Sequence, residues 1–464
     1  MDTKKLRQKI LDLAIRGKLV PQDPNDEPAS VLLERIRAEK EQLIKEGKIK
    51  RSKKSAATDK SHYENVPFEI PESWCWCQFG EYLDVRDGTH DSPKYVDKGF
   101  PFVTSKNLNN GRIDFSTAKF ISEEDHINFS QRSFVEDGDI LFAMIGSIGN
   151  PVLVVKDRDF SIKNVALFKP YDRKNTYMEY VLYYLHYIQE SLRQDAKGGM
   201  QPFIPLNYFR KDLMIPLPPL NEQKKIVSEL QKLIALIDEV DYKASGIRAD
   251  VNKTKSKILD LAISGKLVSQ DPNDEPAIEL LKRINLDFEP CDNSHYENLP
   301  QGWAVCQIKD IFNITMGQSP TGESINGVRG IEFHQGKIHF TESYLSQSGV
   351  YTDQPTKIAE VDSLLLCVRA PVGVLNITQR KICIGRGLCA LKPKYEIDNL
   401  YWLFILTAYK DYFESNATGS TFKAISGDTI KNAVIKLPPL QEQKRVLSSI
   451  ISLYESLDAI TAEL

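Results

Sequence analysis

The chain has 464 residues, of which 41% are hydrophobic and 27% are charged, and these proportions are ordinary for a globular protein of several domains. Its net charge of −3 does not decide whether it binds nucleic acid, because such binding depends on local patches. The charged start MDTKKLRQKI and the lack of an apolar run of about 18 residues predict neither a signal peptide nor a membrane span. We therefore expect a cytoplasmic protein.

The seven cysteines are scattered along the chain. They form no Cys-x-x-Cys pair, and their odd number argues against a disulfide framework. We expect thiols in a reducing compartment and no structural metal site.

Three segments occur twice and in the same order. They are KILDLAIRGKLVPQDPNDEPA (9–29) and KILDLAISGKLVSQDPNDEPA (257–277), SHYEN (61–65 and 294–298), and LPPLNEQKK (217–225) and LPPLQEQKR (437–445). Between them lie two blocks, about 75–200 and 304–420, that share length and character but little sequence. Divergence confined to these inserts predicts two copies of one scaffold that carry two different binding surfaces.

The repeats divide the chain into five regions. We assign 1–60 to an N-terminal repeated helical region with a basic linker, 61–216 to a first recognition domain, 217–290 to a central repeated region with a long helix, 291–436 to a second recognition domain, and 437–464 to a C-terminal repeated helix. The linker at 45–54 (KEGKIKRSKK) is interpreted mainly as a solvated tether, with unspecific phosphate contacts as a further possibility.

Each variable block has the pattern of mixed, strand-rich structure with a late helix. The strand signals are β-branched and apolar runs between glycines and prolines, at 140–145, 152–156, 364–368 and 372–377. The segments 178–194 and 398–413 are rich in aromatic residues and have a helical period, which favours core helices over a platform for stacking bases.

The polar loops of the two blocks carry the candidate DNA contacts. Glycine lets the backbone approach a phosphate, while Arg, Lys, Asn and Gln can form bidentate contacts with purine edges. Taken singly, each such residue is more often a turn or surface residue. The candidates are Thr89, His90, Lys106, Asn107, Ser147, Lys163, Asn164 and Lys197 in the first block, and Gln318, Ser319, Arg369, Arg386, Thr421 and Lys423 in the second.

The segment 221–264 predicts one long helix, with Asn221 as its N-cap and Gly265 as its stop. Its apolar positions alternate in steps of four and three, which is the period of a coiled-coil seam. At 1.5 Å per residue the helix would span about 66 Å. The seam positions are Ile226, Leu230, Leu233, Ile237, Val240, Ala244, Ile247, Val251, Thr254, Ile258 and Leu261.

The two termini supply a partner for this helix. Through the repeats, the C-terminal helix continues the seam with Ile450, Leu453 and Leu457, and the N-terminal helix continues it with Leu6, Ile10 and Leu13. Only 245–248 lack a counterpart, so the termini together rebuild a second copy of the central helix. This predicts an α+β protein with two antiparallel rods, two mixed α/β modules and a circular, pseudo-two-fold arrangement. Alternatively, each terminus forms a separate helix against its own domain.

We find no convincing catalytic motif in the sequence. There is no phosphate-binding G-x-x-x-x-G-K-[ST] loop and no N/D-P-P-Y/F tetrapeptide of an amino-methyltransferase. The segment 385–390 matches G-x-G-x-x-A but leads into Leu391-Lys392-Pro393 rather than a helix. His90 with Asp87 and Asp91 would give three metal ligands on one loop without a fourth. We therefore expect no catalytic residue and no bound metal.

The repeated L-P-P-L-x-E-Q with its heptad helix, alternating with two divergent modules, resembles the specificity subunits of type I restriction–modification systems. The repeated K-I-L-D-L-A-I-x-G-K-L-V and D-P-N-D-E-P-A strengthen the resemblance, which covers essentially the whole chain. It implies two target recognition domains that read a split, asymmetric sequence in double-stranded DNA. It also implies helices that fix the gap between the two half-sites.

The resemblance implies partners as well. Two methyltransferase subunits would dock on the helices and bind S-adenosylmethionine, while endonuclease and translocase subunits would use ATP and magnesium. None of these cofactors is expected on this chain. The alternatives from other classes are a coiled-coil scaffold that joins two protein ligands and a self-sufficient restriction–methylation enzyme, which the missing motifs disfavour.

Overall fold

The computed structural model describes residues 2–49, 66–197, 202–286, 288, 299–419 and 423–464. Its contacts divide the chain into two compact units, Met1–Tyr242 and Lys243–Leu464. Each unit contains one variable block and one copy of the repeated frame. Among the described residues, no helix is long and apolar enough to cross a membrane.

The first unit begins with two helices, continues into a strand-rich module and ends in a long helix that extends into the second unit. Its elements are α1 (Thr3–Ile15), α2 (Ala29–Lys45), β1 (Cys75–Gln78), α3 (Phe79–Tyr82), β2 (Leu83–Asp87), β3 (Phe100–Val103), β4 (Leu108–Asn109), β5 (Arg112–Ile113), β6 (Lys119–Ile121), α4 (Glu123–Ser133), β7 (Ile140–Ala143), β8 (Gly149–Leu153), β9 (Ser161–Ile162), β10 (Val165–Pro170), α5 (Met178–Gln194), β11 (Met214–Leu217) and α6 (Leu220–Ile263).

The second unit contains the C-terminal half of α6 and repeats this order with different insertions. Its further elements are α7 (Ala277–Ile284), β12 (Ala304–Gln307), α8 (Ile308–Ile311), β13 (Phe312–Met316), β14 (Ile325–Asn326), β15 (Ile331–His334), β16 (Tyr351–Thr352), β17 (Ile358–Ala359), β18 (Ser363–Cys367), β19 (Leu375–Thr378), β20 (Ile382–Ile384), β21 (Leu388–Pro393), α9 (Asn399–Ala408), α10 (Lys410–Ser415), α11 (Gly427–Asn432), β22 (Val434–Leu437) and α12 (Leu440–Ala462).

Each module is built on a four-stranded antiparallel sheet, and the two sheets have the same strand order. The order is β2-β10-β7-β8 in the first unit and β13-β21-β18-β19 in the second. Every residue of β7 and β18 is buried. Successive side chains of a strand point to opposite faces, and those of β7 alternate between two separate hydrophobic clusters. A sheet covered on both faces therefore explains the continuous apolar runs at 140–143 and 364–367.

The predicted module elements are largely confirmed, with corrections at their ends. The helix predicted at 178–194 is α5, and strands lie at or beside each predicted strand. The first hairpin turns tightly through Gly146, so β8 begins at Gly149 rather than at Val152. The single helix predicted at 398–413 is wrong. At Tyr409 the chain leaves helical geometry, with φ −89° and ψ 8°, and divides the segment into α9 and α10.

The long helix α6 has 44 residues and matches the predicted bounds within one residue. The prediction that Asn221 is its N-cap is wrong, because the helix begins at Leu220, directly after Pro218-Pro219, and the Asn221 amide donates to Asp26 (2.9 Å). Gly265, at φ +67°, ends the helix as predicted. There the N–H of Lys266 bonds the carbonyl of Leu261 at 2.9 Å, which is a Schellman pattern.

Each terminal helix lies antiparallel to one half of α6. In the first unit, Arg7 of α1 pairs with Asp238 and Asp241 at 2.6 and 3.0 Å. In the second, Lys255 of α6 pairs with Asp458 of α12 at 2.5 Å. The antiparallel pairing that the repeats predict is therefore present in each unit. Contacts between a terminal helix and its own module exist as well.

Those module contacts are clearest for α1. The Tyr187 hydroxyl of α5 donates to Asp12 at 3.1 Å, and Gln8 donates to the carbonyl of Tyr187 at 3.2 Å. In the second unit, Tyr454 of α12 packs edge-on against Phe404 of α9. Each terminal helix therefore contacts both its own module and one half of α6.

The seam of α6 is buried towards its ends and exposed towards its middle. Ile226, Leu230, Ile237, Val251 and Ile258 are at most 7% exposed, whereas Val240 is 42% and Ile247 is 39% exposed. The exposure of Ile247 follows from the repeat, because 245–248 have no counterpart in either terminus. On the terminal helices, Ile10 and Ile450 are buried, Leu6 and Leu453 are exposed, and Leu13 and Leu457 are intermediate, as are Leu233 and Leu261 on α6.

The repeated L-P-P-L-x-E-Q motif forms the same buried network in both units. Glu222 accepts hydrogen bonds from the Trp74 indole (3.0 Å) and from Gln22 (2.9 Å). Glu442 accepts equivalent bonds from Trp303 (3.0 Å) and Gln270 (3.1 Å). These bonds explain why the glutamate recurs together with the tryptophan, since a buried carboxylate requires partners.

The glutamine of the motif is also buried and paired in each unit. Gln223 donates to the carbonyl of Pro218 at 2.9 Å, and Gln443 donates to the carbonyl of Pro438 at 2.8 Å. Desolvation raises the pKa of both Glu222 and Glu442, while their hydrogen bonds partly offset this rise. The frame thus attaches each module to its helix pair through identical contacts.

His186 on α5 makes the stability of the first unit depend on pH. Burial lowers the pKa of His186 to about 4. A histidine whose folded-state pKa lies below its unfolded value contributes stability that is present above about pH 6.5 and is lost as the pH falls towards 4. At pH 5 the free energy of unfolding should be lower than at neutral pH by on the order of 2 kcal/mol. We expect the free energy of unfolding of a His186→Gln variant, measured in urea, to change less between pH 7.5 and 5 than that of the parent chain. An equal change in both proteins would contradict the lowered pKa of His186 as the cause.

Candidate nucleic-acid interface

The candidate loops of the first module meet at one end of its four-stranded sheet. The register pairs Asp87 with Ala166, Val165 with Ala143, and Ala143 with Gly149. Because the strands are antiparallel, β2 and β7 end where β10 and β8 begin. The segments that carry Thr89, Ser147 and Lys163 therefore leave the sheet at the same end, which we call the loop edge of the module.

The second module has an equivalent loop edge. Met316 pairs with Cys389, and Leu388 pairs with Cys367. The first loop after the outer strand is anchored in the same way in both modules: Gly88 N–H bonds the carbonyl of Val165 at 3.0 Å, and Gly317 N–H bonds that of Leu388 at 2.9 Å. A Cβ on either glycine would lie 2.2 Å from a backbone oxygen of the neighbouring loop, so the close approach requires glycine.

Four first-module candidates form one cluster. The His90 ring lies between Asn164, at 2.6 Å from Nδ1, and Asp87, at 3.0 Å from Nε2. Lys163 donates to Ser92 at 2.6 Å. Thr89 is buried, and its hydroxyl bonds Asp91 at 3.2 Å, so its side chain shapes the loop while His90 faces solvent.

Lys106 and Asn107 follow β3, which runs parallel to β9 and ends beside Lys163. Lys106 is exposed, whereas Asn107 is only 3% exposed. The Asn107 carbonyl oxygen accepts from Thr104, and its amide nitrogen donates to Asp114 at 3.0 Å. The structure therefore gives Asn107 a role in holding the loop and leaves Lys106 as the accessible member of the pair.

Ser147 and Lys197 are exposed and lie in neighbouring segments. Phe203 joins these segments, since it forms bridges with both Ile145 and Lys197. The C-terminal end of α5 supports the Ser147 turn, because Arg193 donates to the carbonyl of Ile148 at 2.7 Å.

The second-module candidates fall into two groups at the loop edge. Gln318 and Arg386 are exposed, and the backbone N–H of Arg386 donates to the Ser319 hydroxyl at 3.4 Å. Arg369 and Lys423 are exposed on adjacent segments, where Ala370 N–H bonds the carbonyl of Lys423 at 3.2 Å. Thr421 lies outside the described residues, as do the two SHYEN segments and linker residues 50–54.

One exposed cation at the first loop edge was not among the sequence candidates. Arg132, in the last turn of α4, pairs with Asp87. The sequence did contain a signal for this helix, because Ser122-Glu-Glu-Asp125 is a capping pattern and Ser122 accepts the N–H of Asp125. The helix start would have placed Arg132 on a helical turn, but only the fold brings it to His90.

The described residues contain no group of three or more His, Cys, Asp and Glu side chains suited to hold a metal ion. Asp87 and His90 contact each other directly, and Asp91 is bonded to Thr89. The loop edges instead present exposed polar side chains, which are Arg132, Lys106 and the His90 imidazole in the first module and Arg369, Arg386 and Gln318 in the second. Such groups suit phosphate and base-edge contacts.

A second surface occurs once in each unit, along the first turns of α6 and of α12. The first ten residues after the prolines show nearly the same burial pattern in both helices, with Lys224 and Ser228 exposed in one and Lys444 and Ser448 in the other. In the first unit, this face and Val20–Pro24 line a groove of about 700 Å³. The equivalent face of α12 lines a groove of about 390 Å³.

Comparison with protein families gives one match that covers both modules. The family described as "Type I restriction modification DNA specificity domain" matches residues 80–242 and 300–464, which is more than half of the chain.

Individual relatives agree with this match. The chain is 29% identical to a putative type I restriction enzyme MjaX specificity subunit from Methanocaldococcus jannaschii, over 82% of this chain and 86% of the relative. It is 28% identical to the type I restriction enzyme EcoEI specificity subunit from Escherichia coli, over 99% and 90%. A solved structure concerned with assembly and conformational transition of the type I R-M system superposes with a TM-score of 0.60 at 25% identity, over 86% of this chain and 94% of that one.

Proposed function

Because the chain belongs to the family of type I restriction–modification DNA specificity domains, we propose that it reads a two-part, asymmetric DNA sequence through its two loop edges. It is the specificity subunit of such a system, which selects the DNA target and leaves catalysis to partner subunits. The duplicated frame, with two different sets of residues at equivalent loop edges, is the observation that carries the proposal.

The two modules differ where they would contact bases. His90, Lys163 and Arg132 stand at the first loop edge, while Gln318, Arg369 and Arg386 stand at the second. Different donor and acceptor sets recognise different base edges in the major groove. We therefore propose two different half-sites and a target that is not palindromic.

The helix α6, which connects the modules, is proposed to fix the spacing of the half-sites. Its 44 residues correspond to about 66 Å at 1.5 Å per residue. One turn of B-DNA is about 34 Å, so a rod of this length can separate two contacts on one duplex by more than a helical turn.

Specificity subunits of type I systems work with methyltransferase and restriction subunits. We propose that this chain binds two methyltransferase copies, one on each of the two equivalent grooves. In this proposal S-adenosylmethionine stays on the methyltransferase, and ATP and magnesium stay on the endonuclease partner. We also propose a cytoplasmic location, since the six cysteines that the structure describes carry free thiols.

Blocking one groove should remove one methyltransferase copy. We expect Ser228→Trp and Ser448→Trp each to give a complex with a single methyltransferase, because a large side chain fills an exposed small-residue position on the groove face. The double variant should bind none. Native mass spectrometry measures the three stoichiometries, with Ser256→Trp on the C-terminal half of α6 as the exposed control. Two bound copies in both single variants would exclude the grooves as docking sites.

The direct test of the proposal is selection of bound DNA from a random pool by the chain in complex with its methyltransferase. The expected result is an enriched motif with two unlike half-sites and a fixed gap. Enrichment of no motif would support the alternative of a scaffold that joins two protein ligands, which the family assignment does not favour. A palindromic motif would contradict the assignment of one half-site to each module.

A further inference from the structure

A buried carboxylate at the first loop edge holds two exposed side chains. Asp87 is the last residue of β2 and is 4% exposed. One carboxylate oxygen accepts from the Arg132 guanidinium, and the other lies 3.0 Å from Nε2 of His90. The side chains of Arg132 and His90 are 57% and 60% exposed. The acid is therefore inside the protein, while the groups that it binds point out of it.

The second module shows that the fold does not require an acid at this position. Asp87 pairs with Ala166 in the sheet, and its equivalent, Met316, pairs with Cys389 in the same register. The second sheet has the same strand order as the first, although a methionine occupies this position. Burying a carboxylate costs free energy unless it is paired, so an acid that the scaffold can replace by an apolar residue has another use.

That use is to fix the directions of Arg132 and His90. A free arginine side chain loses rotamer entropy when it binds a ligand, and a partner that already orders the side chain reduces that loss. The His90 ring is also held from its other side by Asn164 at 2.6 Å. Among the described residues, the Arg132 guanidinium donates to Asp87, and its remaining N–H groups can bond a ligand.

We propose that Arg132 is a specificity-determining residue that reads a guanine of the first half-site, and that Asp87 is its positioning residue. A guanidinium forms a bidentate pair with O6 and N7 of guanine in the major groove. The carboxylate holds the guanidinium at the loop edge beside His90 and Lys163. This inference rests on the proposed function and adds the residue and the base that it recognises.

The test uses methylation of short duplexes by the complete complex with its methyltransferase. Each guanine of the first half-site is replaced in turn by 7-deazaguanine, which lacks the N7 acceptor. With the parent chain, one position should lower the methylation rate about 5-fold, the lower end of the range for a lost bidentate contact, because the O6 acceptor remains. With Arg132→Ala, the unmodified duplex should already be slow, and the 7-deazaguanine at that position should cost nothing more.

Further variants separate recognition from folding. Arg132→Lys keeps the charge but not the planar fork, so its sensitivity at that guanine should be reduced rather than abolished, because an ammonium can still donate to N7. Asp87→Asn should reduce the sensitivity at the same position and leave the second half-site unaffected. The control is Arg158→Ala, since Arg158 is similarly exposed (53%) and lies beyond the other end of β8, where it should change neither half-site.

The outcomes distinguish this inference from the function itself. A parent complex that methylates no two-part target would refute the proposed function. The inference alone would be overturned if the parent complex methylates such a target but 7-deazaguanine lowers the rate of the Arg132→Ala complex as much as that of the parent at every guanine. Loss of discrimination at both half-sites in Asp87→Asn would show a structural role for the acid rather than local positioning.

Discussion

Insertion of one heptad between Ala244 and Ile247 is expected to abolish methylation at the original target and create a new target with a longer gap. Seven residues turn the helix by about 700°, nearly two full turns, so the seam keeps its face. They add about 10.5 Å, which corresponds to about 3 base pairs at 3.4 Å each. Residues 245–248 have no counterpart in either terminus, and Ile247 is already exposed there.

Long-read sequencing of DNA from cells that carry the variant and its methyltransferase measures this effect. The two half-sites should stay the same, because the insertion leaves both loop edges unchanged. A deletion of one heptad is the matched variant and should shorten the gap. Altered half-sites, or an unchanged gap with retained methylation, would contradict the role of α6 as the spacer.

Removal of both arginines from the second loop edge is expected to relax the second half-site while leaving the first intact. Arg369 and Arg386 are exposed on two loops at the same end of the sheet. Each bidentate contact to a base is worth about 1–3 kcal/mol, so Arg369→Ala with Arg386→Ala should reduce discrimination at two positions about 5- to 150-fold each.

The control for this variant is Arg329→Ala. Arg329 belongs to the same module and is highly exposed, but it precedes β15. Because β15 runs parallel to β20, Arg329 lies at the opposite end of these strands from the loop that carries Arg386. Methylation rates on duplexes with single substitutions in each half-site make the comparison. Equal losses in both half-sites would indicate unspecific phosphate contacts rather than base reading.

Most of what could be predicted about the fold came from the repeated segments. A period sustained over five heptads, with Gly265 after it, determined α6 within one residue, because both signals are local. Asn221 was misassigned as a cap since the rigid Pro218-Pro219 pair allows the helix to begin one residue earlier. The break at Tyr409 was missed because the aromatic pattern of 398–413 continues through it.

The candidate site could be predicted only as separate loops. That Thr89, Ser147 and Lys163 share one end of a sheet depends on the order β2-β10-β7-β8, in which sequence neighbours are not all sheet neighbours. Asn107 holds its loop in place because its side chain is buried. The sequence, which shows only a Lys-Asn pair in a loop, does not reveal this burial. For the same reason, Arg132 becomes a candidate only beside Asp87.

The role of this chain in selecting the DNA target is tested most directly by comparing the methylated bases of host DNA with and without the chain. The chain is expressed together with its methyltransferase, and modified adenines are mapped by long-read sequencing. We predict one split, asymmetric motif with a fixed gap that disappears when the gene for this chain is deleted. The same methylation map in both strains, despite a stable complex with the methyltransferase, would contradict its role in selecting the target.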